Sequence, residues 1–304
     1  MNLINRLLLL LAALLAPSSL LAQSAAPTPA PAPAATVTTA RPALWKVSDA
    51  DTTIYLFGTI HLLPQGIEWY SGPLAQAFDA SGELVTEIPE YGDTETAAAV
   101  MKYAMLPANQ SLRATMTTKE KARYETALRQ VGLPPAAFDR FRPWYAAVVL
   151  ATLPLQRKGY DMQNGVEAQL SALAKTAGHP RSGLETLDMQ LGLFSTFSPK
   201  VQKRYLFDTI ATMPTLDQEV GKMVQSWAKG DAVALADLLN AEQDDPAMIK
   251  ALLYDRNKAW AQWIKTRLDR PGTVFIAVGA GHLGGKGSVL DLLARSGIAS
   301  TRVQ

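Results

Sequence analysis

The sequence predicts an α/β (α+β) fold with a mixed central sheet built from the N- and C-terminal segments and a large helical middle. Three observations predict it. Strand-like runs lie near the start of the folded part, at 44–58 and 83–88, and return only at 273–279. From about residue 94 to 270 the apolar residues instead recur at helical spacing. Finally, Thr273–Gly279 (TVFIAVG) is an unbroken apolar run, as expected of a strand covered on both faces.

Taken in order, Leu44–Val47 and Thr52–Gly58 are rich in β-branched and aromatic residues and flank the polar connector Ser48–Asp51, which predicts a β-hairpin. Ser71-Gly72-Pro73 predicts a helix start, since proline is well tolerated at the first helical position. Glu83–Ile88 predicts a third strand, stopped by Pro89. Helices are predicted to open at Thr118 and at Pro143, and to run over Val166–Ala177 with a stop at Gly178. Arg181–Glu185 reads either as a buried strand or as a loop. Ala247–Leu268 predicts a long helix, with Ile249, Leu252, Leu253, Trp260, Trp263 and Ile264 on its apolar face. A helix over Ser288–Ala294 and a short strand over Ser300–Val303 complete the pattern.

Before the hairpin, residues 1–22 read as an export signal. Arg6 supplies a positive start, Leu7–Leu15 an apolar run, and small residues lead to cleavage after Ala22. The apolar run is shorter than the roughly 20 residues needed to span a bilayer. Residues 23–41, made largely of Ala, Pro and Thr, read as a disordered linker that buries too little apolar surface to fold. The remaining domain is 42–304, with no stretch suited to stable membrane insertion once the signal is removed. The expected location is a bacterial periplasm.

Composition excludes several function classes. The chain has 304 residues and no cysteine, so thiolate metal sites, iron–sulfur clusters and cysteine nucleophiles are ruled out. A net charge of +2 argues against a nucleic-acid partner. Any metal must then be held by histidine, carboxylate or carbonyl groups, and there are only three histidines.

Two of those histidines share a frame. Gly58-Thr59-Ile60-His61-Leu62 with Gly66, and Gly279-Ala280-Gly281-His282-Leu283 with Gly287, both read G-x-x-H-L-x-x-x-G after an apolar strand. A strand that ends in a loop places its side chains at the carboxyl edge of a sheet, where open α/β sheets bind ligands. Glycines there let the backbone turn and approach a ligand closely. Imidazole at such an edge is a candidate metal ligand or general base. Glu87 is a candidate complement: Val85 and Glu87 share one strand face, and Glu87 would reach the same edge if its strand runs parallel to the one before His61. Glu185 is a second candidate carboxylate, and Arg256-Asn257 lie on a helix able to turn towards the site. His179 reads as structural. The segment Gly279–Gly284 matches G-x-G-x-x-G, but too little chain follows for a dinucleotide-binding unit.

Leu44–Val47, Leu56–His61, Glu87, Gly165–Glu167, Gly183–Thr186, Arg256-Asn257 and Val278–Leu283 together resemble the TraB/GumN (TraB–PrgY–GumN) family across residues 43–304. That family includes the Tiki metalloprotease ectodomains and is similar to the erythromycin-esterase/ChaN-like group. The resemblance implies an erythromycin-esterase/ChaN-like fold and an exported metal-dependent peptidase or hydrolase. It implies His61, Glu87 and His282 as the metal-linked catalytic set around Mn, Co, Fe or Zn, with Arg256 as a supporting charge on an oxyanion or a substrate carboxylate. Gly58, Gly279, Gly281, Glu185 and Asn257 are the expected substrate contacts, and a peptide or protein is the expected substrate. Glu167 and His179 depart from the family pattern, where Asp and Lys are expected. The alternative readings are a non-catalytic protein that sequesters peptides and an envelope accessory protein. Oligomeric state is not legible in the sequence.

Overall fold

The computed structural model describes residues 38–240 and 245–304, so the expected signal and most of the linker lie outside the described residues. The linker is shorter than expected. Thr38–Thr39 pairs in parallel with Ile67–Glu68, and Ala40 is fully buried. Thr38 N–H and Ala40 N–H donate to Gly66 O and Glu68 O, both at 2.8 Å, and these bonds draw the segment into the fold.

Six strands form the central sheet. They are β1 (Leu44–Ser48), β2 (Thr52–Thr59), β3 (Glu83–Thr86), β4 (Arg181–Gly183), β5 (Gly272–Gly279) and β6 (Thr301–Arg302). Their spatial order is β6-β1-β2-β5-β3-β4. The expected hairpin β1–β2 is antiparallel, with Trp45 opposite Leu56, and β6 adds antiparallel to β1. The other four strands, β2, β5, β3 and β4, run parallel to one another. The sheet is thus mixed and assembled from both ends of the domain, with β5 inserted between β2 and β3.

Strand β5 shows why its sequence is continuously apolar. Val274, Ile276 and Val278 pack on one sheet face against Trp260, Ile264 and Leu293. Phe275 and Ala277 pack on the other against Phe57, Phe78 and Leu84. The period-two alternation of a strand therefore points each residue from Val274 to Val278 into one of two cores.

Helix α1 (Gly72–Asp79), begun by Pro73 as expected, links β2 to β3. Between β3 and β4 the chain forms α2 (Asp93–Ala104), α3 (Thr118–Gln130), α4 (Pro143–Arg157) and α5 (Val166–Ala177). Helix α3 opens on a capping box, Thr117 accepting from Glu120 N–H while Glu120 accepts from Thr117 N–H. Gly178 closes α5 at φ +72°, the left-handed cap that glycine adopts without strain. After β4 follow α6 (Leu187–Thr196), α7 (Pro199–Thr212), α8 (Leu216–Ala228), α9 (Ala232–Asn240) and α10 (Pro246–Ile249). The middle helices have a core of their own, which includes Trp144, Tyr145, Phe194 and Leu206.

Three elements differ from the sequence expectation. Strand β3 stops at Thr86 rather than at 88, because the Thr86 hydroxyl donates to Ile88 O at 2.6 Å and turns the chain ahead of Pro89. The ambiguous segment 181–185 resolves into β4, a partly exposed edge strand, followed by a loop. The long helix expected over 247–268 is interrupted: α10 passes into a π-helical stretch at Lys250–Tyr254 before α11 (Asp255–Leu268). Helix α12 (Val289–Arg295) then precedes β6.

Helix α5 docks directly on the turn after β2. Val166 N–H donates to Ile60 O, and a Cβ added at Gly165 would lie 2.1 Å from His61 O. Gly165→Ala is therefore expected to lower stability by about 1–3 kcal/mol through overpacking against backbone, read as a lower urea midpoint at unchanged m-value.

Candidate active site

Because β2, β5, β3 and β4 are parallel, their carboxyl ends share one edge. His61 follows β2, Glu87 follows β3, Glu185 follows β4, and His282 lies in the 3₁₀ turn that follows β5. The sheet thus brings the two histidines of the repeated frame to the edge where Glu87 was expected. Val85 packs on the face covered by α11. Glu87, two residues further on, emerges on that same face, towards Arg256.

Arg256 is the hub. Its Nε donates to Glu185 Oε1 at 2.8 Å and to Oε2 at 3.1 Å. Its Nη2 donates to Glu87 Oε2 at 2.6 Å and to Glu185 Oε2 at 3.0 Å. Its Nη1 donates to Leu252 O and to His282 Nε2, each at 3.2 Å. A guanidinium carries five N–H groups, and here every one is engaged.

The same accounting fixes the tautomer of His282. A guanidinium has no lone pair, so His282 Nε2 accepts and Nδ1 carries the hydrogen. That hydrogen goes to Asn257 Oδ1 at 2.6 Å, and Asn257 Nδ2 donates onward to Gly287 O at 2.8 Å. Burial and the Arg256 charge both disfavour the imidazolium, holding His282 down at about 3. Its ring stacks at a tilt on Trp260, with centroids 4.4 Å apart.

Glu87 is 4% exposed, yet it is ionised. Burial alone would raise its pKa, but Arg256, the neighbouring histidines and the Gly279 N–H together lower it to about 2. Its Oε1 accepts from Gly279 N–H at 2.8 Å, and its Oε2 accepts from Gln190 Nε2 at 3.1 Å as well as from Arg256. Glu185 also accepts from Gln190 and from Trp260 Nε1, both at 2.9 Å. Neutral donors therefore solvate the second carboxylate charge that a single guanidinium leaves uncompensated.

His61 has different surroundings. Glu167, in the first turn of α5, places Oε2 at 3.0 Å from His61 Nδ1. The Thr59 hydroxyl donates to the other oxygen of Glu167. His61 Nε2 is buried and has no hydrogen-bond partner among the described residues. Burial opposes charge on His61, but the Glu167 carboxylate outweighs it and raises the pKa.

A trough of about 530 Å³ opens beside this pair. One wall is a face of α5 carrying Glu167, Ser171 and Lys175; the opposite wall is the Pro89–Asp93 loop with Tyr91. Of the residues the sequence singles out, His61 and Glu87 line the trough. Arg256, His282, Glu185 and Asn257 stand behind them and are almost wholly buried. Gly58, Gly279 and Gly281 serve the backbone: a Cβ at Gly58 would meet Ala280 Cα at 3.0 Å, Gly279 N–H binds Glu87, and Gly281 is buried in the 3₁₀ turn. Sequence reasoning missed Gln190, Trp260 and Thr59, and it took Glu167 only as a departure from a family pattern. The signal available for Glu167 was its place just after Gly165, at a helix start.

A family model for TraB/PrgY/gumN matches residues 43–302. The chain belongs to this family. Among curated relatives, uncharacterized protein YbaP of Escherichia coli K12 is 23% identical over 252 residues, covering 83% of this chain and 92% of that protein. An uncharacterized protein of Treponema pallidum is 22% identical over 269 residues, covering 83% and 80%. Metalloprotease TIKI1 of Danio rerio is 24% identical over 310 residues, covering 84% of this chain and 61% of that protein. No solved structure matches the chain.

The name of the last relative raises a metal ion, and the donor set can be tested against one. Among the described residues no group of three or more His, Asp or Glu side chains is placed to hold a metal. The reason is visible in the bonds: both oxygens of Glu87 and both nitrogens of His282 already face hydrogen-bond partners. His282 Nε2 lies 4.0 Å from Glu87 Oε1, and the Arg256 guanidinium bonds both side chains. His61 Nε2 is bare and Glu87 Oε1, with a single donor, keeps one lone pair, but His282 has none to give. As arranged, the set does not fit a three-ligand metal site.

Removing Arg256 would leave two buried carboxylates without their cation. Arg256→Met is expected to lower stability by about 3–5 kcal/mol, measured by chemical denaturation. Trp260→Phe, which deletes one donor to Glu185 and keeps most of the ring, is expected to cost about 1–3 kcal/mol.

Proposed function

We propose that this chain is an exported hydrolase that cleaves peptide bonds in the trough beside α5, with His61 activating water. The observation that carries the reading is the His61–Glu167 pair: an imidazole with one nitrogen 3.0 Å from a carboxylate oxygen and the other bare, on the wall of a cavity. The likeness to a protein named a metalloprotease supports the reaction class. Export rests on residues 1–22 of the sequence, and the location proposed is the periplasm. Among the described residues no helix is long and apolar enough to cross a membrane.

In this reading a water molecule gives a proton to His61 Nε2 as its oxygen attacks the scissile carbonyl. Glu167 favours the imidazolium that forms, so His61 is a stronger base than a free imidazole. The same proton then passes to the leaving amine, and His61 returns to its neutral form. Glu87 contributes a fixed negative charge near the imidazolium, held in place by Arg256, Gln190 and Gly279. Arg256 itself has no N–H left for an oxyanion or a substrate carboxylate, so it acts as a positioning residue. The metal-dependent form of the activity, with Mn, Co, Fe or Zn on His61, Glu87 and His282, has the metalloprotease likeness as its support. As arranged, the donor set does not fit such an ion, because His282 Nε2 is bonded to Arg256.

The test is mass-spectrometric profiling of a complex peptide mixture, run in chelator and with added Mn²⁺, Co²⁺ or Zn²⁺. The expected result is a defined set of cleavage products, lost by about 10²-fold or more in His61→Ala. Glu167→Gln is expected to lower kcat on the order of tenfold while leaving KM nearly unchanged, since it acts through His61. Cleavage that persists in His61→Ala would overturn the proposal. Peptides captured intact would instead establish the sequestering reading.

A further inference from the structure

We infer that Arg256 is the resident cation of this centre, and that the chain is built to work there without a divalent metal ion. The inference rests on the hydrolase reading for its catalytic consequence, but its structural content stands on bonds alone. A divalent ion held by His61, Glu87 and His282 would need lone pairs from all three. The His282 Nε2 lone pair is taken by Arg256 Nη1, and Glu87 Oε2 is taken by Arg256 Nη2 and Gln190. Glu87 Oε1 accepts one bond, from the Gly279 N–H, and keeps a lone pair, so the obstacle lies at His282, whose one lone pair is already given to Arg256.

The guanidinium is no loosely placed side chain that an arriving ion could push aside. Arg256 is 5% exposed, and its Nε and Nη2 also bind Glu185, with a further bond to Leu252 O in its own helix. Its plane lies 4.7 Å from the Trp260 ring centroid. For a metal to bind there, Arg256 would have to give up His282 Nε2 and Glu87 Oε2 while its bonds to Glu185 and Leu252 O keep it in place.

Arg256 thereby does two things that a metal does in other hydrolytic centres. It offsets one of the two carboxylate charges that must stay buried, and it fixes an imidazole in one tautomer. It does so without an exchangeable ligand position. The polarised, open coordination site of a catalytic metal has no counterpart here, and water is activated at His61 instead.

The test is elemental analysis of the full chain, desalted after incubation with Mn²⁺, Co²⁺ or Zn²⁺, together with its thermal midpoint with and without EDTA. The expected result is substoichiometric metal and an unchanged midpoint. One ion per chain that raises the midpoint and is lost in both His61→Ala and His282→Ala would overturn the inference. Metal retained equally in both variants lies outside the centre and leaves the inference standing. These readouts do not need turnover, so a chain that cleaves nothing but is metal-free would sink the hydrolase proposal alone. Cleavage that EDTA abolishes and Mn²⁺, Co²⁺ or Zn²⁺ restores would sink this inference alone.

Discussion

The five N–H groups of one buried guanidinium hold together segments that lie far apart in the chain. Through Arg256 the ends of β3 and β4 are tied to the turn after β5 and to the π-helical stretch before α11. A lysine has only three donors on a single point and could not meet this demand. The dependence runs in both directions. Glu87 and Glu185 can be buried as anions only because the guanidinium lies between them, and it can be buried only because they do. What remains of their charge is met by Gln190, Trp260 and Gly279, so the site is closed electrically before any substrate enters.

The β-hairpin, the apolar strand Thr273–Gly279 and the order of sheet and helix were legible because each follows from a local pattern: alternation, turn residues, or helical spacing. The repeated G-x-x-H frame was legible for the same reason, and with it the shared sheet edge. The division of labour inside the site was not. His61 and His282 look alike in sequence, yet one meets Glu167 across the start of α5 and the other meets Arg256 and Asn257 on α11. Nothing local to either frame encodes that difference, because it comes from which helix packs above each strand end. Gln190 was hidden for a related reason: it lies among apolar residues of α6, and only the tertiary arrangement turns it to both carboxylates.

The π-helical stretch shows the limit of periodicity from another side. The apolar spacing over 247–268 fits a single helix, and most of that length is helical. Widening one turn at Lys250–Tyr254 resets the phase between Leu252 and Arg256, whose side chain reaches back to the Leu252 carbonyl. Such a turn costs backbone hydrogen-bond quality and commonly occurs where a side chain must be aimed. Here that side chain is Arg256.

The position of β5 has a consequence for how the molecule comes into being. Its neighbours β2 and β3 are made first, but Thr52 pairs with Gly272 and Glu83 with Val274, so the strand that joins them is synthesised only after all the middle helices. Until it arrives, β2 and β3 are two separate edges with unpaired backbone groups, and His61 and Glu87 have no common frame. A nascent chain cannot close this sheet on the ribosome as its early segments emerge. The middle helices, with their own core, can gather first, while the sheet waits for its centre. Contacts of such long sequence separation make the final closure slow.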